Sequence, residues 1–463
     1  MIGRLSYDVL LKIYRYYLEE SPRLWPTLVH ICRKWRRIVF SSQQALRLRL
    51  FFSYGTPVLK TLGHWQALPI VIEYGGSLAL DPPSPEDEVN IIAALKRSDR
   101  VRSISLTVTT SLQGRLYTVK RPLLELEDLI LLSQDSVPLT LPSTFLWGPR
   151  LRRLHLTRIG IPGLVQLLHS SRNLEDLQLY DVPYLSIEEL TDALSGLAQL
   201  QSFSLYFLST AHYRLPPPLR DQLIVFPALT HLNFRGIVRH LEFLVDRIDA
   251  PRLSDIQVTL TDGLMLSTSK LNKFIYRIEM RKPLHQACIL FSERAVSISL
   301  TQPGAPTCFT FRLLSEGFFD QLFAMSRIIP GFSTLLPNVE DLRISATQAS
   351  SQNRYDGKRW QDILSLFAGV KWLYLDVNDS TNIVYALQAI YWPPETTVLP
   401  ALYKLYLPQP GPHHAPLSEA LVPFMTSRWR SGCPIAVEYD RLCRISEIHG
   451  RGTSPCTVPL DPY

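Results

Sequence analysis

The residues able to do chemistry are few and scattered. The six cysteines are Cys32, Cys288, Cys308, Cys433, Cys443 and Cys456, and no two form a Cys-x-x-Cys pair. This spacing suggests neither a disulfide framework nor a zinc site, and dispersed thiols suit a reducing cytoplasm or nucleus. His413-His414 sits in a Pro/Gly-rich stretch without nearby cysteine or carboxylate ligands, so it reads as an exposed pair rather than a metal site. No G-x-G-x-x-G, P-loop or G-x-S-x-G run occurs. Asn378-Asp379-Ser380 has the form of a glycosylation acceptor, but turn capping fits better in a chain expected not to be secreted. The 11 His and 6 Cys form no catalytic constellation and no RING-type ligand set. The expectation is a protein without enzyme activity, cofactor or metal.

Function should then reside in surfaces, and the elements that build them come next. The chain has 463 residues, of which 77 are Leu and 46% are hydrophobic, with only 19% charged. That apolar content excludes a mostly disordered chain, which cannot offset its ordering entropy. No apolar run approaches the roughly 18 residues needed to span a bilayer. Met1–Asp8 meets a charge at once and lacks a signal-peptide core. A soluble protein, without a membrane partner, is expected. The net charge of +7 is uneven: residues 1–60 hold 11 Lys+Arg against 3 Asp+Glu, a balance of +8. A small basic head precedes a nearly neutral body, which bears on the head's partners rather than its fold.

In the head, Leu5, Val9, Ile13 and Tyr17 recur every four residues, with Leu10 and Tyr14 beside them. This predicts a helix starting near Ser6 and broken at Ser21-Pro22. A second helix is predicted from about Pro26, with Leu28, Cys32, Trp35 and Val39 on one stripe. A short third segment should follow Ser41-Ser42. So small a core suggests dependence on a partner.

These residues carry a resemblance. Leu5-Ser6-Tyr7-Asp8-Val9-Leu10-Leu11-Lys12-Ile13-Tyr14 resembles the opening of an F-box, with Ser6 and Tyr14 where that family usually has proline and phenylalanine. Ile31-Cys32-Arg33-Lys34-Trp35-Arg36-Arg37-Ile38 resembles its second signature, a hydrophobic-Cys-basic-x-Trp run. The wider layout, with Tyr54-Gly55-Thr56-Pro57 and Pro69–Gly75, is similar to the large F-box families of mushroom-forming fungi. The resemblance implies a head that docks on the Skp-type adaptor of an SCF (cullin-RING) ubiquitin ligase. By position, it assigns the contacts to Leu5, Val9, Leu10, Ile13, Leu28, Val29, Cys32 and Trp35. The alternative is that these residues pack the head's own core, and Trp35 is expected to do both.

In the body, an apolar-x-x-apolar-x-apolar motif starts at Val101 and returns at Leu126, Leu151, Leu174, Leu200, Leu229, Leu253, Val339, Val370 and Leu402. Recurrence at 20–30 residues is the signature of a leucine-rich-repeat solenoid, in which a short strand and a return segment bury their apolar faces only by stacking on the next coil. Ser84-Pro85-Glu86-Asp87 reads as a helix start, and Ile161–His169 and Ser186–Leu194 as helical returns. The family's turn asparagine is replaced by Ile159, Val182, Leu208 and Ile237; only Asn378 matches. Residues 260–335 break the motif, either as decayed coils (one at Ala295–Leu300) or as an inserted element.

The expected fold is an α+β/α/β solenoid: a three-helix F-box over 1–50, a connector with a first strand over 51–83, an irregular leucine-rich-repeat horseshoe over 84–410, and a cap or tail over 411–463. The expected function is substrate recognition for an SCF ligase, the solenoid binding a target protein for ubiquitin-dependent degradation. One alternative is a non-catalytic scaffold that recruits no ligase. Another is nucleic-acid binding through Arg33, Lys34, Arg36 and Arg37, although a solvated face, or one steered to an acidic adaptor, is the preferred reading of that run. Side chains flanking each inward apolar pair should face the concave sheet. Early coils offer Ser103, Ser105 and Thr107, and middle coils Arg153, His155, Gln178, Tyr180, Ser204, Tyr206, Asn233 and Arg235. The later Arg343, Trp372, Tyr374 and Tyr406 are the expected target site, because Trp, Tyr and Arg most often carry interface energy. Alternatively, these aromatics pack beneath the C-terminal segment.

Overall fold

The computed structural model describes residues 5–65, 67–75, 82–135, 137–142, 148–183, 185–207, 223–262, 269–278, 284–302, 309–315, 318–346, 357–375, 398–408, 415–430 and 432–440. Leu208, Asn378, His413-His414, Cys308, Cys443 and Cys456 lie outside them. The chain divides into two compact units, Met1–Leu253 and Ser254–Tyr463.

The first unit opens with α1 (Tyr7–Glu20), capped by Ser6, whose hydroxyl accepts from the Val9 N–H. Its buried row is Leu10, Tyr14 and Leu18. The single helix expected after Pro26 is two: α2 (Trp25–Ile31) and α3 (Arg33–Ser41), separated by an extended Cys32 at φ −161° and ψ 168°. Side-chain chemistry stabilises the break. Arg36 Nε donates to the Val29 carbonyl at 2.9 Å, satisfying an acceptor in the last turn of α2. Lys34 Nζ donates to the Leu5 carbonyl at 2.8 Å. Leu28 and Val29 of α2, and Ile38 and Val39 of α3, are all buried. The predicted third segment is a run of turns through Arg47, not a helix.

Eight parallel strands follow in sequential order: β1 (Leu50–Phe52), β2 (Ile70–Tyr74), β3 (Val101–Val108), β4 (Asp128–Ser133), β5 (Arg153–Thr157), β6 (Asp176–Tyr180), β7 (Ser202–Tyr206) and β8 (His231–Gly236). Parallel neighbours need a crossover, and helices such as Pro85–Leu95 and Ile187–Leu194 provide it. The first of these starts where expected and has a capping box: Ser84 Oγ accepts from the Asp87 N–H, and Asp87 accepts from the Ser84 N–H. Its inward face is Glu88, Ile91 and Leu95, while Val89 is exposed. Residues 51–83 are no separate connector, because β1 and β2 are the first two strands of the sheet.

The recurring apolar positions are aligned from strand to strand. Leu129, Leu154, Leu177, Phe203 and Leu232 are successive register partners. All thirty apolar motif residues, in both units, are at most 5% exposed. At the ends of β5 and β6, Arg158 and Asp181 take positive φ (56° and 49°), and the next residues, Ile159 and Val182, are buried. These coils therefore fill the family's asparagine position with packed apolar side chains. The first unit is a solenoid of parallel coils.

The second unit contains β9 (Asp255–Leu260), β10 (Gln286–Ser292), β11 (Ala295–Thr301), β12 (Phe309–Leu314), β13 (Asp341–Ala346), β14 (Trp372–Leu375), β15 (Lys404–Pro408) and β16 (Ala436–Asp440), in the spatial order β9-β12-β11-β10-β13-β14-β15-β16. The break at 260–335 is an inserted element. β10 and β11 form an antiparallel hairpin, and β12 pairs antiparallel with β11 and parallel with β9. Ala295–Leu300 is a strand, but an antiparallel one rather than a decayed coil. Parallel pairing resumes from β10 to β13 and continues through β14, β15 and β16. Within 411–463, read from the sequence as a cap or tail, the described residues form the helix Ala415–Arg430 and the parallel strand β16.

Candidate interaction surfaces

The head sorts the eight residues assigned by resemblance into three groups. Leu10, Leu28 and Val29 are buried in the head's core, as the alternative reading of these residues has it. Leu5 and Trp35 are half-buried, and the Trp35 ring lies 4.8 Å from that of Tyr14. Val9, Ile13 and Cys32 are exposed. Val9 and Ile13, each 43% exposed, and Tyr16, at 72%, follow i, i+4, i+7 spacing on α1. This second apolar row lies off the buried Leu10/Tyr14/Leu18 row. Ile31, 54% exposed, and Leu24, 45% exposed, are further uncovered apolar side chains of the head that the resemblance does not assign as contacts. They look like core residues in periodicity alone; only their placement shows otherwise.

The head is fixed to the first coil. Trp25 Nε1 donates to the Arg49 carbonyl at 2.7 Å. The Trp25 and Trp65 rings meet edge to face at 5.0 Å, and Phe40 lies 5.3 Å from Trp65. Arg23 pairs with Glu73 on β2. Of the four basic residues 33, 34, 36 and 37, Lys34 and Arg36 donate to backbone carbonyls.

On the open face of the first unit, charges alternate between adjacent coils. Arg153 makes a bidentate pair with Asp128, at 2.6 and 2.9 Å. His155 Nε2 lies 2.6 Å from Asp176 Oδ2. Burial alone would raise the Asp176 carboxyl; the hydrogen bond and charge of His155, with hydrogen bonds to Gln178 and Ser202, offset this and hold it below its ordinary value. Tyr180 donates to Gln178 at 3.1 Å, and Asn233 donates to the Tyr206 hydroxyl at 2.9 Å. Thr107 and Ser204, expected on this face, are buried and unavailable.

The second unit brings three of the four expected target residues into one line. Arg343, Tyr374 and Tyr406 are consecutive register partners on β13, β14 and β15. The Arg343 guanidinium carbon lies 4.8 Å from the Tyr374 ring centroid. Tyr374 and Tyr406 stack at 4.3 Å with planes 3° apart. Burial pushes the Tyr374 phenol up to about 12. Trp372 stands in the next row, between Asp341 and Lys404. All four side chains are half-exposed. Among the described residues no group of His, Cys, Asp and Glu is placed to hold a metal ion, and no helix is long and apolar enough to cross a membrane.

No protein-family model matches the chain. No curated protein matches it. Among solved structures it is similar to a leucine-rich repeat-containing protein, LegL7, from Legionella pneumophila, at 13% identity and a TM-score of 0.27, covering 81% of this chain and 97% of that one. A likeness that distant carries no weight; the registered parallel strands define the fold.

Proposed function

We propose that the chain is a substrate receptor of an SCF-type ubiquitin ligase. The head docks on a Skp-type adaptor, and the open sheet faces hold a target protein. The observation that carries this reading is the uncovered apolar row Val9, Ile13 and Tyr16, with Ile31 and Cys32, on the segments that resemble the two F-box signatures. Exposed apolar surface of this kind marks a protein partner. The fixed junction through Trp25, Trp65 and Arg49 supports it further, since a head held to the first coil sets the position of the first unit relative to the ligase. The mechanism is proximity: tethering raises the effective concentration of target lysines near a ubiquitin-charged enzyme, with no chemistry by this chain.

Co-purification of the full chain with a Skp-type adaptor tests the reading. Wild type should bind, and Ile13→Asp should not, because the new charge would be desolvated without a partner. Absence of an adaptor complex with folded wild-type chain would sink the ligase reading and leave a scaffold.

A further inference from the structure

On the open face of the second unit, one row of side chains crosses the strands in register. From the inserted hairpin outward it runs Ser299, Cys288, Arg343, Tyr374, Tyr406 and Glu438. On one side of Arg343 the side chains are small; on the other stand two stacked rings. The Arg343 guanidinium is held against Tyr374, yet it makes no ion pair or hydrogen bond among the described residues. A planar cation fixed by an aromatic face keeps its N–H edge for a planar anion, and its side-chain entropy is already reduced before binding.

The neighbouring lysines are paired internally. Lys404 pairs with Glu438 at 2.6 Å, and Lys371 with Glu340 at 2.7 Å. Asp341 accepts from the Gln286 amide at 3.1 Å. Arg312, exposed on β12, likewise has no ion pair among the described residues. Arg343 and Arg312 are thus two cations of this face without an ion pair among the described residues, with the Asp341 carboxylate in the row beside Arg343.

We propose that this row binds an acidic, extended peptide segment, with a carboxylate on the N–H edge of Arg343 and neighbouring apolar groups against Tyr374, Tyr406 and Trp372. The peptide would cross the small side chains of the hairpin. The inference deepens the reading that this face holds a target, and it does not depend on recruitment of a ligase.

The test probes the full chain against an array of random twelve-residue peptides, with fluorescence anisotropy on the strongest binders. Bound peptides should be enriched in Asp and Glu. Arg343→Gln should weaken them by about ten- to a hundredfold, with an unchanged melting temperature. Replacing their Asp and Glu by Asn and Gln should weaken binding similarly. Binders without acidic enrichment, or indifferent to Arg343→Gln, would overturn the inference. If such binders still require Tyr374 and Tyr406, shown by a Tyr374→Ser/Tyr406→Ser variant, the ligand class falls and the face survives. If no binder depends on any of the three residues, both fall. Loss of adaptor binding alone, with acidic peptides still bound, removes only the ligase reading.

Discussion

Trp25 reaches from the head to the sheet: its indole nitrogen donates to the carbonyl of Arg49, the residue before the first strand, at 2.7 Å. The bond is part-buried, and the Trp25 side chain is only 3% exposed. Trp25→Phe keeps most of the ring and removes the donor. It should cost roughly 1–2 kcal/mol, since an unpaired buried acceptor loses its hydration. The melting temperature should fall by a few degrees, and limited proteolysis should quicken between residues 42 and 50. An unchanged melting curve would show that the junction does not depend on this bond.

The two apolar rows of α1 should respond oppositely. Ile13→Asp, at an exposed position, should leave the melting temperature nearly unchanged while abolishing adaptor capture. Leu10→Ala, at a fully buried position, should cost about 2–5 kcal/mol by cavity formation. Thermal melts of the two variants side by side check this, and equal losses would remove the distinction between the rows.

Within one coil, the same alternation should appear as a stability pattern. Leu154 is wholly buried and Thr157 half-exposed on the opposite face. Leu154→Ala should cost about 2–5 kcal/mol, while Thr157→Ala should stay within about 0.5 kcal/mol. Denaturant titration separates the two.

His240, in the helix Val238–Arg247, is 2% exposed and packs edge-on against Phe207 at 5.1 Å. Burial, with the nearby Arg239 charge, holds its imidazole below the ordinary value. The sign follows. The unfolded chain binds a proton near pH 6.5, whereas the folded chain does so only at lower pH. Stability is therefore full above about pH 6.5 and falls as pH drops toward the depressed folded value. The melting temperature should be a few degrees lower at pH 5 than at pH 7.5, and His240→Gln should reduce that difference. An equal pH dependence in the variant would place the effect elsewhere.

Much of the frame is local and therefore legible in the chain. Leu129 and Leu131, Leu154 and Leu156, and Leu177 and Leu179 announce strands with one apolar side, because side chains alternate along a strand and only burial repays that spacing. Ser84-Pro85-Glu86-Asp87 announces its helix because capping involves only neighbours. The head's motif is local too, but its two apolar rows are not distinguishable by type. Leu10 and Ile13 both suit a core, and only the tertiary packing buries one and leaves the other exposed. The hairpin of β10 and β11 was equally hidden, since parallel and antiparallel strands share the same alternation and pairing is chosen by distant partners. So was the line of Arg343, Tyr374 and Tyr406. The sequence determined that each residue would point outward; only the register between coils, set by how their return segments pack, decided that the three would meet.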